Sequence, residues 1–568
     1  MSRRQIDLND PITLQVLWNR LVFIADQADR ALGRTAFSPI IRENHDYVTA
    51  LMDVNGRALA QCTWAIPVFI TSLPMAAQHY FLKAFPPETL EPGDVLLTND
   101  PLIGTGHLPD MVMITPVFHK GRIIGYAGSI AHMADIGGRP YSPESIDIFE
   151  EGIRLPIVKI YKAGKPNKDV LDIIAASVRL PREVLGDLES MVAANDVMGR
   201  ELIRFVEEYE LDGVEQLGEA IHRRSEAHMR EAIGRLPSGS YRSEVKLDGY
   251  DSEVTLKCNV IVKGESIHID YTGSSPQVTH AINVRKHYRF AHSVYAIKCL
   301  LDPQTPNNEG CILPITDEAP EGSILNPRNT AAGNLRNLIG HVIPSLIFRA
   351  LADVLPDRIQ GDSGGAPIWG MNCQGQNEQG EPYGAMQNLH GGQGGRSGLD
   401  GNDTLSFPSN CRITPTEMYE LAIPILTECK ELIPNSGGPG EFRGGLGQRL
   451  TVRNISPRDI NIYLASERVN NPCFGVVGGE DGRPGGVLKN DQPIFPKGRI
   501  PLGPGDRLTV ELPGGGGWGT PTQRPRALVE QDLHLGLVTR QGAKDDYGYV
   551  DASQAPTDHR LGRRDATS

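Results

Sequence analysis

The residues best suited to chemistry lie between positions 99 and 138. The segment NDPLIGTGHLPD sets His107 and Asp110 three residues apart around Pro109, and AHMADIGG sets His132 and Asp135 ahead of two glycines. Two imidazoles and two carboxylates make a mixed nitrogen and oxygen donor set. Such a set suits Zn²⁺, Mn²⁺ or Fe²⁺ better than a cysteine-built structural site does. A divalent ion held there polarises a carbonyl oxygen or lowers the pKa of a water toward neutrality. RENHDY at 42–47 offers Glu43, His45 or Asp46 as a further donor. IFEEG offers Glu150 and Glu151 as a general base or an extra ligand. Each pattern also has a plainer reading. A lone H-x-x-D is commonly a hydrogen-bonded turn, D-I-G-G a tight turn, and paired glutamates a solvated or ion-paired surface. The two His/Asp pairs sit on consecutive strand ends, where a rigid scaffold positions side chains.

The elements that must hold these residues follow from periodicity. Asp10-Pro11 reads as a helix start, with an N-cap and a first-turn proline. Leu14, Leu17, Leu21, Ile24 and Ala28 then recur at helical spacing up to about Gly33. Residues 36–135 read as short strands, at 47–54, 94–97, 111–118 and 123–129. Residues 168–235 read as a helical pair joined at Leu211-Asp212-Gly213. Segments 254–262 and 266–271 form a predicted hairpin across Lys263-Gly264-Glu265. Residues 335–355 are apolar enough for a helix that Pro344 kinks. Residues 360–410 read as long ordered loops, and 449–454, 459–465 and 506–512 as strands. The expected fold class is α+β. A metal-bearing part with a helical pair spans 1–240, a central mixed part with glycine-rich loops 241–440, a β-rich part 441–525, and a peripheral tail 526–568.

Composition bounds the function. The 568 residues carry a net charge of −13, with 39% hydrophobic and 22% charged residues. That is an ordinary globular balance, and it argues against a general nucleic-acid surface. The 62 glycines and 42 prolines are in excess and lack a period, which points to many turns and close backbone approaches. No apolar run is long enough for a membrane span, and MSRRQIDLNDPIT has no apolar stretch behind its arginines. Eight scattered cysteines without a C-x-x-C pair fit reduced thiols in a cytoplasmic protein. No G-x-x-x-x-G-K-[ST] loop is present. The glycine runs at 436–447 and 514–519 are either turns or an anion cradle. Gly361-Asp362-Ser363-Gly364-Gly365 copies a serine-protease string. However, a nucleophilic serine needs a spatially arranged histidine and acid, which the chain layout does not favour.

Several blocks in order resemble the hydantoinase B family from about residue 8 to 520. They are NDPLIGTGHLPD, AHMADIGG, IFEEGIRLP, VRLPREVLGDLESMVAANDVMG, NEGCILPITDEAPEGSILNP, SGGPGEFRGGLG and LPGGGGWGTP. The resemblance implies that His107, Asp110 and His132 bind a divalent metal together with Asp46 from the E-x-x-D block, with Asp135 behind His132. It implies the B subunit of an ATP-dependent cyclic amidase acting on hydantoin, 5-oxoproline or lactam rings. ATP is bound by a hydantoinase A-type partner, an (αβ)₂ hetero-oligomer is expected, and water activated by the metal attacks an amide phosphorylated in that partner. The alternative is a subunit of an ATP-dependent ketone carboxylase of the acetone or acetophenone type, which uses the same ligands. A third reading, a non-catalytic scaffold, is disfavoured because the ligands are retained. The chain departs from the family in having Ala65-Ile66-Pro67-Val68-Phe69 where relatives carry H-I-P-x-H, and GTGH for GGTH. An apolar Phe69 there points to a less polar substrate or a changed pocket wall.

Overall fold

A computed structural model describes residues 7–550, so the end of the proposed tail, 551–568, lies outside the described residues. Helix α1, Pro11–Thr35, begins where the sequence signals it. Asp10 accepts a hydrogen bond from the Thr13 N–H at 2.9 Å, satisfying one of the first-turn donors. Its Leu14, Leu17, Leu21, Ile24 and Ala28 are buried.

These residues pack on a seven-stranded sheet of order β2-β1-β5-β4-β3-β6-β7. Its strands are β1 Tyr47–Met52, β2 Ala58–Gln61, β3 Val95–Thr98, β4 Asp110–His119, β5 Arg122–His132, β6 Val158–Lys162 and β7 Lys165–Pro166. Neighbouring strands all pair antiparallel. The central strands serve two cores. Leu51, Met111, Met113 and Ala127 join the core of α1 and the helix Pro181–Glu208. Val48, Val112, Ile114 and Tyr126 join a second core with the helix Lys286–Leu301. Burial on both faces leaves every residue of β1 buried, with no inside–outside alternation.

Elsewhere the structure refines the sequence expectations. The segment 168–235 holds three helices, Lys168–Ser177, Pro181–Glu208 and Glu215–Gly234, because the chain extends at Val178 and restarts at Pro181. Segment 335–355 holds two short helices, Asn337–Gly340 and Ile343–Ala350, and Pro344 opens the second helix rather than kinking a long one. The predicted hairpin is present, with Lys263 opposite Ser266 in a four-stranded sheet. Segment 360–410 is not all loop. Trp369–Gln376 and Pro382–Leu389 pair as strands, and Trp369, Met371 and Cys373 alternate into a third core. That four-stranded sheet is completed by Ile460–Ala465 and Gly498–Leu502, and a five-stranded sheet follows from Ile425–Leu432 onward. The whole is mixed α+β.

The glycine runs are neither simple turns nor an anion cradle. Segments near 361–364, 391–395, 436–447, 475–482 and 513–518 run against one another, backbone to backbone. Gly361 N donates to Gly395 O, Gly392 N to Pro513 O, Gly438 N to Gly515 O and Gly516 N to Asp362 O. A Cβ on Gly392 or Gly514 would overlap the carbonyl oxygen of Gly445 or Ser436. Residues 526–550 form helices Arg526–Leu535 and Arg540–Tyr547. The buried Arg524 ties them back, pairing with Asp400 and Asp532 at 2.7 Å. All cysteines are free, and no described helix is long and apolar enough to cross a membrane.

Candidate metal centre

Three chain segments deliver donors to one end of the large sheet. Asp110 is the first residue of β4 and His132 the last of β5, and the register places them directly opposite each other. Asp46 immediately precedes β1, and its carbonyl accepts the His132 N–H at 3.1 Å. His107 comes from the β3–β4 loop. Gly106 stands at φ +96 in that loop, and a Cβ there would press on Arg336.

His107, Asp110 and His132 are all buried, and one ligand atom from each lies within 4.8 Å of the others. Asp110 Oδ1 is 2.8 Å from His107 Nε2 and 3.1 Å from His132 Nδ1. Asp110 Oδ2 accepts from Arg336 Nη2 at 2.9 Å and from the Thr105 hydroxyl. His107 Nδ1 donates to the Asn334 carbonyl at 2.8 Å, which leaves a lone pair on Nε2. That Nε2 is buried and makes no hydrogen bond, although Asp110 Oδ1 is close. Burial first, then Arg336, pushes His107 down to about 4, so it is neutral near pH 7. Burial opposes charge on Asp110, but His107, His132 and Arg336 outweigh it and hold the carboxyl well below its usual range. Burial likewise opposes charge on His132, and Asp110 and Asp46 raise it nonetheless. His107 Nε2 and Asp110 Oδ1 lie 2.8 Å apart, with His132 Nδ1 3.1 Å from the same oxygen. A cation fits there, and the donors are those a borderline divalent ion takes.

Asp46 lines the same cavity, but its oxygens fall outside the close group. Burial first, and then Asp110, pushes it up to about 6 against the pull of His132. The other RENHDY donors turn away. His45 sits at φ +58 with Nε2 3.0 Å from Asp29, and Glu43 pairs with Arg42.

None of Asp135, Glu150 and Glu151 lines this cavity. Asp135 binds Arg179 Nη1 at 2.8 Å and accepts the Gly137 and Arg179 backbone N–H groups, so it fastens a turn and makes no bond to His132. Glu150 is half-buried, 3.4 Å from Arg139. Glu151 is buried, and its Oε1 accepts from Gly333 N at 2.8 Å and Asn334 N at 2.7 Å. It thereby braces the turn whose Asn334 carbonyl orients His107. Burial pushes Glu151 up to about 7. Ser363 of the protease-like string is fully buried among glycines, where its hydroxyl accepts from Gly394 N.

Sequence reading missed Arg336, Asn334, Thr105 and Tyr141. The Arg336 guanidinium carbon lies over the Tyr288 ring, 3.9 Å from its centroid, and Tyr141 stands edge-on to His132 and donates to Asn337. The polar run NLRN at 334–337, opening an otherwise apolar stretch, was the available signal.

Fold and site define a buried His/Asp group that could hold a metal ion, at one end of an antiparallel sheet packed on both faces. The chain belongs to the hydantoinase B/oxoprolinase family, whose model matches residues 10–521. It is 32% identical to a Pseudomonas sp. (strain NS671) protein provisionally named as the B component of a D-/L-hydantoinase, across 96% of this chain and 97% of that one. The crystal structure of the ATP-dependent caprolactamase from Pseudomonas jessenii superposes with a TM-score of 0.86 at 26% identity, covering 96% and 97% of the two chains. A nucleotide-free acetone carboxylase shares the fold, with a TM-score of 0.85 at 19% identity over 96% of this chain and 81% of that one.

Proposed function

We propose that this chain is the metal-binding B subunit of an ATP-dependent cyclic amidase of the cytoplasm. ATP is used by an A-type partner in an (αβ)₂ assembly, and the ring opened is of the hydantoin, oxoproline or lactam type. The observation that carries the reading is the buried group of His107, Asp110 and His132, whose ligand atoms lie within 4.8 Å of one another. His107, Asp110 and His132, with Asp46 as fourth donor, would hold Zn²⁺, Mn²⁺ or Fe²⁺, which would supply Lewis acidity and a water of lowered pKa. The chain's own residues set the geometry. Asn334 fixes the His107 tautomer, Arg336 and Thr105 hold Asp110, and Glu151 braces the Asn334 turn. Of the residues read from sequence as catalytic, Glu151 acts through that turn, while Asp135 and Glu150 secure loops around the site. The subunit names and ATP dependence of the relatives support the amidase reading. The carboxylase likeness shows the fold alone, and no residue of the site favours that chemistry.

The test is elemental analysis of the purified chain and of a His107→Ala/Asp110→Ala variant, followed by ring-opening assays with an A-type subunit and ATP. A single transition-metal ion per chain, lost in the variant, and ATP-dependent ring opening are expected. Metal retained by the variant would overturn the ligand set. Isotope-labelled bicarbonate entering a ketone product would overturn the amidase reading.

A further inference from the structure

We infer that the cleft at the N-terminus of the helix Lys286–Leu301 binds a phosphate-type oxyanion, with Arg285 as its anchor. The inference goes beyond the amidase reading and does not depend on it. The cleft is a cavity of about 590 Å³ that shares no lining residue with the candidate metal centre. It has room for a phosphate and a small organic group that carries it. The loop that brings His107 to the metal centre also touches this cavity. Pro101 and Leu102 line it, and the Leu102 carbonyl accepts from His287 Nε2 at 3.1 Å. A Cβ on Gly106 would stand 3.2 Å from Arg336 and 3.5 Å from Arg285, so one loop abuts both arginines.

Arg285 is only 4% exposed. Its one hydrogen bond among the described residues runs from Nη2 to the Ala331 carbonyl at 2.6 Å. Nε is buried without an acceptor, and Nη1 is left unbonded in a side chain that lines the cavity. The carboxylates whose charge reaches it are engaged elsewhere. Asp100 pairs with Arg154 at 2.7 Å, and Glu151 accepts the Gly333 and Asn334 N–H groups. A guanidinium so placed lacks the partner that burial of a charge demands. Lys286 and Arg328 line the same cavity, both exposed, and neither side chain makes a hydrogen bond or ion pair among the described residues. Three cations thus face one carboxylate, Glu321, on a chain of net charge −13. His287 adds no charge, because burial first and then Lys286 push it down to about 4. The helix end adds to the cations. Its first N–H groups have no partner within the helix, no side chain caps them, and the first turn holds no acid.

A phosphate offers three oxygens and up to two charges to this set, where a carboxylate offers two oxygens and one charge. Arg285 lies below the surface, so a small molecule reaches it and a flat protein face does not. Titration calorimetry on the full chain tests the site, with chelator present so that no metal competes for the anion. The probes are inorganic phosphate, phenyl phosphate and ATP. Binding is expected, and Arg285→Met should weaken it at least about tenfold. The double variant Lys286→Ser/Arg328→Ser, at exposed positions, should weaken it about threefold or more at low salt, and it keeps the test open should Arg285→Met not fold. Tighter binding of phenyl phosphate or ATP than of inorganic phosphate identifies an esterified phosphoryl group as the ligand. Equal or weaker binding of the esters identifies the free ion. Binding of no probe, or binding that neither variant changes, would overturn the inference. A cleft that takes no phosphate, but whose variants weaken association with an A-type subunit, is a protein interface and overturns it as well.

Discussion

Glu151 offers a sharp test of how the centre is held. Its Oε1 receives two backbone N–H groups from the turn that orients His107, and its Oε2 is buried without a partner. Glu151→Ala leaves both N–H groups buried and unpaired, at about 1–3 kcal/mol each. Loss of at least about 2 kcal/mol of stability is expected, together with metal binding weakened about tenfold or more through the loosened Asn334 carbonyl. Glu151→Gln keeps the acceptor and removes the charge. The rise from an ordinary 4.5 to about 7 amounts to about 3 kcal/mol, at roughly 1.4 kcal/mol per pH unit. The sign follows from a raised acid. The native state prefers the protonated form, so this group opposes folding least below pH 4.5, and the opposition grows until pH passes 7. Glu151→Gln should therefore be more stable than wild type by up to about 3 kcal/mol at pH 8, and by under about 1 kcal/mol near pH 5. Urea denaturation at both pH values, with metal content and a chelator-competition Kd, reads these effects. If Glu151→Gln keeps metal and stability yet abolishes turnover, Glu151 moves a proton and the bracing argument is refuted.

Three further outcomes are expected. Asp46→Asn should weaken metal binding by about tenfold or more while leaving stability at pH 7 unchanged or higher, because it removes a buried charge; unchanged affinity in chelator competition would remove Asp46 from the ligand set. Arg336→Met removes the buried guanidinium paired with Asp110 and should cost about 3–5 kcal/mol in metal-free protein, with added divalent ion restoring much of it in the same denaturation assay. Gly515→Ala meets the Gln393 carbonyl and should cost more than about 3 kcal/mol or prevent soluble expression. Gly486→Ala faces open space, and its melting temperature should stay near that of wild type.

What could be read from the sequence was local. His107, Asp110 and His132 stood out because their spacing put them at strand ends, and the hairpin of β4 and β5 needs no distant partner to bring two of them together. Ending the predicted strands at 111 and 129 hid the cross-strand pairing of Asp110 with His132. The residues that hold the ligands were not legible, because Arg336 lies 226 positions from Asp110 and only tertiary packing joins them. Glu151 was visible as a carboxylate, but its direction was not, since one backbone rotation separates a ligand from a brace. The strand Trp369–Gln376 was masked by the glycine- and glutamine-rich composition around it, although Trp369, Met371 and Cys373 carry a period-two signal.

The glycine bundle bears on how the chain is made. Its strands of backbone offer one another hydrogen bonds and almost no apolar side chains, so nothing in any one of them favours early collapse. Segment 513–518 supplies partners to Gly392, Gly395, Gly438 and Phe442. A ribosome has therefore released every residue of the candidate metal centre long before the last thread of this weave exists. Until then, peptide groups across more than a hundred preceding residues must stay wet or be shielded by a chaperone. The slow, long-range step in folding waits for segment 513–518.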